Sequence, residues 1–145
     1  MNKPTQYLLW AAKGVAAMLM LQTLYFKFQA APESVYIFTQ VGIEPWGRIG
    51  TGVIELIASV LILIPRTSWI GAGLGLGVML GAIVTHLFLL GIEVQGDGGQ
   101  LFFYAVAVAV SCLMILYITR HQWISVLLGL LGRSNRNKSS AWLNG

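Results

Sequence analysis

Ile49-Gly-Thr-Gly-Val-Ile-Glu-Leu-Ile-Ala-Ser-Val-Leu-Ile-Leu-Ile64 decides how this chain is to be read. Apart from Glu55, every side chain in the segment is apolar or small, so it reads as a membrane span with one carboxylate inside it. A charge in that setting is costly and is normally kept for a partner, a cavity or a ligand. Glu55 is therefore the first candidate functional residue.

Working outward, the same composition continues. Of 145 residues, 57% are hydrophobic and only 10% charged, and the mean hydropathy is +0.75. A soluble domain of this size could not bury so much apolar surface. Four apolar stretches, residues 8–26, 47–64, 69–92 and 100–119, are each close to the ~20 residues that cross a bilayer. The prediction is an all-α, polytopic membrane protein, an antiparallel four-helix transmembrane bundle over residues 1–120. Gln122-Trp-Ile-Ser-Val-Leu-Leu-Gly-Leu-Leu-Gly132 is too short to cross, so residues 121–133 are expected to form a short interfacial amphipathic helix. Residues 134–145 are expected to be a disordered tail. The first stretch has the basic flank of a signal peptide, but Phe28-Gln-Ala-Ala31-Pro32 is a poor cleavage site, and the helix is expected to be retained.

Charge and cysteine content exclude several classes. The pI near 9.5 comes from scattered basic residues beside spans, without the basic stripe of a nucleic-acid surface. Lys3, Lys13, Arg66, Arg120, Arg133, Arg136 and Lys138 fall on one side, and Lys27 and Arg48 on the other. That split places both termini in the cytoplasm. The single cysteine, Cys112, rules out an internal disulfide and a CxxC centre. His86 and His121 belong to opposite halves of the membrane, against bis-histidine haem ligation, and no metal-ligand cluster, Ser-His-Asp set or nucleotide fingerprint is present.

Pro32 and Pro45 punctuate the first outer connection, Pro65-Arg66-Thr67 an inner turn, and Gly96-Asp97-Gly98-Gly99 the second outer turn. Ser34-Val-Tyr-Ile-Phe-Thr-Gln40 is expected to be a short helix capping the outer mouth. Gly73, Gly77 and Gly81 form a small-residue ladder on the third span, read as helix packing inside the bundle, with a homodimer interface as the alternative.

Depth brings the polar residues together. Counting ~1.5 Å per residue, Glu55 lies roughly 12 Å below the outer start of its helix and His86 roughly 9 Å below the outer end of its own. Helical spacing adds Thr23 and Lys27 on the first span, Arg48 on the second and Tyr104 on the fourth, with Gln22 nearby. Three readings stay open: an ion-pair network that fixes register, an outward-facing pocket that binds a polar head group or handles protons, or Glu55 facing a partner protein. A transport path is weakly supported, because the inner half offers only Ser59, Ser111 and Thr119.

Lys13, Leu24-Tyr-Phe-Lys27-Phe, Phe38-Thr-Gln-Val-Gly42-Ile-Glu-Pro45, Gly52-Val-Ile-Glu55-Leu and a small-residue-rich third helix ending near His86 together resemble the DoxX family of small four-helix membrane proteins. Lys27, Gly42, Pro45, Gly52 and Glu55 match its pattern. Lys13 stands where arginine is more usual, and Thr23 where a glycine is expected. The resemblance implies a redox-associated subunit with a membrane or extracytoplasmic redox partner protein, as DoxX-like proteins include subunits linked to thiosulfate:quinone oxidoreduction. With no intrinsic cofactor and no cysteine pair, such a role implies a quinone or lipid-like molecule near Glu55, His86 and Tyr104. The alternative is a non-enzymatic membrane anchor or assembly factor.

Overall fold

Asn2 starts the first helix, its side chain accepting the amide of Thr5 at 3.3 Å with proline in the first turn. The computed structural model describes residues 2–130. Helix α1 runs Lys3–Phe28, and Pro32 opens a second helix, α2, Pro32–Val41, which Gly42 ends. Trp46, just after Pro45, begins α3, Trp46–Leu63, and Pro65 prevents its continuation. Helix α4, Ser68–Thr85, passes directly into a π-helical turn, His86–Leu90. Helix α5 covers Gln100–Ile118, and residues 120–130 are helical again. No strand occurs among the described residues, so the all-α expectation holds. The expected tail, 134–145, and the last residues of the expected interfacial helix lie outside the described residues.

The four long helices, counting α4 with its π turn, are long and apolar enough to cross a membrane. In none is more than 39% of the most apolar window buried inside the protein. Leu, Ile, Val and Phe side chains crowd the outside, a surface that only hydrocarbon covers at low cost. The chain is thus a multi-pass membrane protein in contact with the bilayer. Helix α1 packs on α3 and α5, and α4 packs on the same two, giving an antiparallel square with α1 and α4 on one diagonal. Helix α2 lies across the end formed by connections 29–45 and 91–99, termed the outer end, and touches α1, α3 and the π turn.

The bundle axis is filled by Ala16, Met20, Ala58, Ile62, Ala72, Met79, Val108, Cys112 and Ile115. Small residues draw the helices close. An added Cβ at Gly71 would lie 2.6 Å from Ala58 O and Ile62 N, so α4 meets the backbone of α3 there. This corrects the packing expected for Gly73, Gly77 and Gly81. All three are exposed, and a Cβ at any of them would meet nothing within 4 Å. The reason is rotational: the buried stripe of α4 runs Ser68, Gly71, Ala72, Gly75, Met79, and the ladder sits off that stripe. Helix α5 buries Ala105, Val108, Ala109, Ser111, Cys112 and Ile115.

Gly71→Ala is expected to lower stability by about 1–3 kcal/mol, because α3 and α4 must separate. Gly77→Ala is expected to change it little. Thermal unfolding of the two variants in detergent measures the difference, and equal melting would contradict the assigned contact.

Candidate functional site

Glu55 is fully buried at 0% exposure, on the inward stripe of α3 that also carries Arg48, Gly52 and Ser59. Its Oε1 is 2.5 Å from Lys27 Nζ, and its Oε2 is 3.2 Å from Thr23 Oγ1. Lys27 reaches it from the last turn of α1, with 15% of its side chain exposed against 1% for Glu55. The Thr23 hydroxyl also lies 2.8 Å from Met20 O, and with one proton it donates to one acceptor at a time. Glu55 is therefore a paired charge, and Lys27, not Arg48, is its partner.

Arg48 is the site residue that the structure removes from the group. Its Nε donates to both oxygens of Glu44, at 2.8 and 3.1 Å, and Nη1 donates to the carbonyl of Lys27. Helical spacing put it on the Glu55 stripe correctly, but the nearer carboxylate one turn away, Glu44, captures the guanidinium. It pins the start of α3 to the end of α1 and so holds Lys27 in place.

Behind this pair opens a cavity of about 620 Å³ under α2. Lys27, Glu55, Thr23, His86 and Tyr104 all line it, as does Gln22. The volume falls within the ~300–1,000 Å³ usual for small-molecule sites. Gly77 and Gly81 form part of its wall, so the ladder makes room where it was expected to make contact. Ser34, Ile37 and Phe38 of α2 roof the space, and Gln95 and Asp97 of the second outer connection close one side. The expected short cap signalled the roof. Nothing in the periodicity of the spans pointed to Gln95 or Asp97.

His86 is buried and is the first residue of the π turn. Its Nδ1 lies 2.9 Å from Gly91 O, while its own carbonyl accepts the Gly91 amide at 2.7 Å. A carbonyl only accepts, so Nδ1 carries the proton and Nε2 is left for the cavity. Gly91 at φ +82° supplies the backbone turn this double latch requires. A π turn at the end of a helix commonly marks a functional position. Glu55 and His86 share the cavity without a hydrogen bond between them. On α5, Gln100 Nε2 donates to Tyr104 Oη at 2.6 Å, which leaves the phenolic proton free to donate.

Asp97 anchors the rim. Its Oδ1 accepts the amides of Val94 and Gly99 at 2.9 and 2.8 Å, and its Oδ2 that of Leu101 at 3.1 Å. Burial pushes this carboxyl up, but those three amides and the nearby His86 outweigh it and hold the pKa below the ordinary value.

Ser59, Ser111 and Thr119 do not extend the site inward. Each donates to the carbonyl four residues back in its own helix, at 2.7, 2.8 and 2.7 Å. His121 belongs to the inner-end helix 120–130, far from His86 in the chain's topology. No cluster of three or more His, Cys, Asp or Glu suited to a metal occurs among the described residues.

Glu55→Gln leaves Lys27 charged and unpaired and is expected to cost about 3 kcal/mol. Adding Lys27→Met should restore most of that loss in chemical unfolding, and a double mutant no more stable than the single would contradict the pairing. Because its folded pKa is depressed, Asp97 stabilises its turn above the ordinary value of 3.8 and loses that effect as pH falls through the folded value. Hydrogen-exchange protection at Gly99 and Leu101 should persist from neutral pH down to that region. Loss of protection well above it would count against the assignment.

The sequence model of a family described as DoxX-like matches residues 11–114. No curated protein and no solved structure matches the chain.

Proposed function

This chain belongs to the DoxX-like family, and from that premise we propose that it is a redox-associated membrane subunit whose outer cavity holds the head of a quinone or quinone-like lipid. The observation that carries the reading is the pairing of Lys27 with Glu55 inside that cavity. The lysine is the only basic Lys or Arg side chain among the lining residues, and it is already engaged. Glu33 and Asp97 line the same space and add negative charge. An anionic substrate therefore meets no free Lys or Arg there, whereas a neutral head group meets free polar atoms that include His86 Nε2 and the Tyr104 hydroxyl.

Each free group has a role toward such a head. With its proton held at Nδ1 against Gly91 O, His86 accepts at Nε2 from a hydroxyl of the reduced head. Tyr104, whose oxygen already accepts from Gln100, donates. Ile37 and Phe38 of α2, Met79 of α4 and Val108 of α5 offer apolar contact to a ring and its first isoprenoid carbons. A quinone held there would supply two-electron, two-proton chemistry, with electrons exchanged through a partner redox protein at the membrane or on its outer side.

In this reading the protein sits in the inner membrane of a prokaryote with both termini in the cytoplasm. Lys3, Lys13, Arg66 and Arg120 in the half opposite α2, against Lys27 and Arg48 at the outer end, support that orientation among the described residues. A second reading, a membrane anchor or assembly factor, is favoured by α2, where Tyr36, Thr39 and Gln40 remain exposed at the outer surface.

Titration of the purified chain with a short-chain quinone tests the proposal. Tyr104→Phe is expected to weaken binding about tenfold, the effect of losing one well-placed hydrogen bond. Gly77→Leu should block binding while leaving the melting temperature unchanged, since the added side chain enters the cavity and not the core. Parent-like binding by both variants would sink the quinone reading.

A further inference from the structure

A second space lies open at the inner end of the bundle. The start of α4, the end of α5 and helix 120–130 leave between them a groove of about 550 Å³. Trp69, Gly73, Leu74, Leu116, Trp123 and Leu127 line it, and no lining residue is charged. The Trp123 indole N–H donates to Leu116 O at 3.1 Å, which ties helix 120–130 to α5 and fixes one wall. Gly73 accounts for the width, as a Cβ there would meet nothing within 4 Å. Shape and chemistry suit a hydrocarbon chain.

The rim is basic. Arg66 precedes Trp69 by three residues, in the turn between α3 and α4, and Arg120 precedes Trp123 by three. Neither pairs with a carboxylate among the described residues. Arg120 is steered by Tyr117, donating to its carbonyl at 3.1 Å with the guanidinium 4.6 Å from its ring. All five acidic residues of the chain, Glu33, Glu44, Glu55, Glu93 and Asp97, belong to the outer half or the outer connections. The positive charge of Arg66 and Arg120 thus has no counter-ion of its own among the described residues.

We propose that the groove and its two arginines form a binding site for an anionic phospholipid. One acyl chain lies between α4 and helix 120–130, and the phosphate meets the guanidinium groups of Arg66 and Arg120. The site is separate from the outer cavity and does not depend on a quinone there.

The test uses the full chain in phosphatidylcholine vesicles holding a minor fraction of phosphatidylglycerol, with one lipid or the other brominated to quench tryptophan. Brominated phosphatidylglycerol is expected to be enriched about five- to thirtyfold over brominated phosphatidylcholine at equal mole fraction. The double variant Arg66→Gln, Arg120→Gln should lose that preference. Gly73→Leu, which keeps both arginines and fills the groove, should lose the excess quenching. Circular dichroism checks that each variant keeps its helices. Equal quenching by the two lipids, or a preference that survives the double arginine substitution, overturns the proposal. So does quenching that falls as the protein-to-lipid ratio rises, which would place a second copy in the groove. Absence of excess quenching from either lipid, the result if the chain's own residues 131–145 occupied it, overturns it as well.

Discussion

A carboxylate with no exposed surface inside a bilayer-spanning bundle must be answered by a positive charge, and the 2.5 Å contact from Lys27 to Glu55 is that answer. Much of the outer half follows from it. The pair joins α1 to α3 at the depth where the cavity opens. The Arg48 clamp on Glu44 and on the Lys27 carbonyl then fixes the end of α1. With both charges satisfied, the bundle can hold an open space above them, to which His86 and Tyr104 offer hydrogen-bonding atoms.

Helix α4 divides the molecule into a packed side and an open side. Its Gly71 and Gly75 meet α3, Met20 and Cys112, while Gly73 looks onto the inner groove and Gly77 and Gly81 onto the outer cavity. One helix therefore uses the same residue type for two opposite purposes, close contact and empty volume. At its outer end the π turn stops the helix and sets His86 against Gly91, so that one ring nitrogen is consumed by the backbone and the other is left available.

The fold was legible because hydropathy and turn residues are local signals. Pro65 ends α3 and the glycines near Asp97 end the second outer connection wherever the helices pack. The group of Lys27, Thr23, Glu55, His86 and Tyr104 was legible for a related reason: depth follows from counting residues along a helix. What counting does not supply is rotation about the axis to better than a face. That is why the glycine ladder was assigned to packing and Arg48 to the pocket. The roof under α2 and the Asp97 rim depend on chain folding between spans, where sequence carries no period to read.

The central claim is that the outer cavity holds a neutral, ring-headed lipid beside a self-neutralised ion pair. Mass spectrometry of small molecules retained by the chain after purification from its native membrane tests it most directly. The account predicts an isoprenoid quinone in near-stoichiometric amount, lost from Gly77→Leu. Retention of an anionic ligand in its place, or of the same quinone by Gly77→Leu, would contradict it.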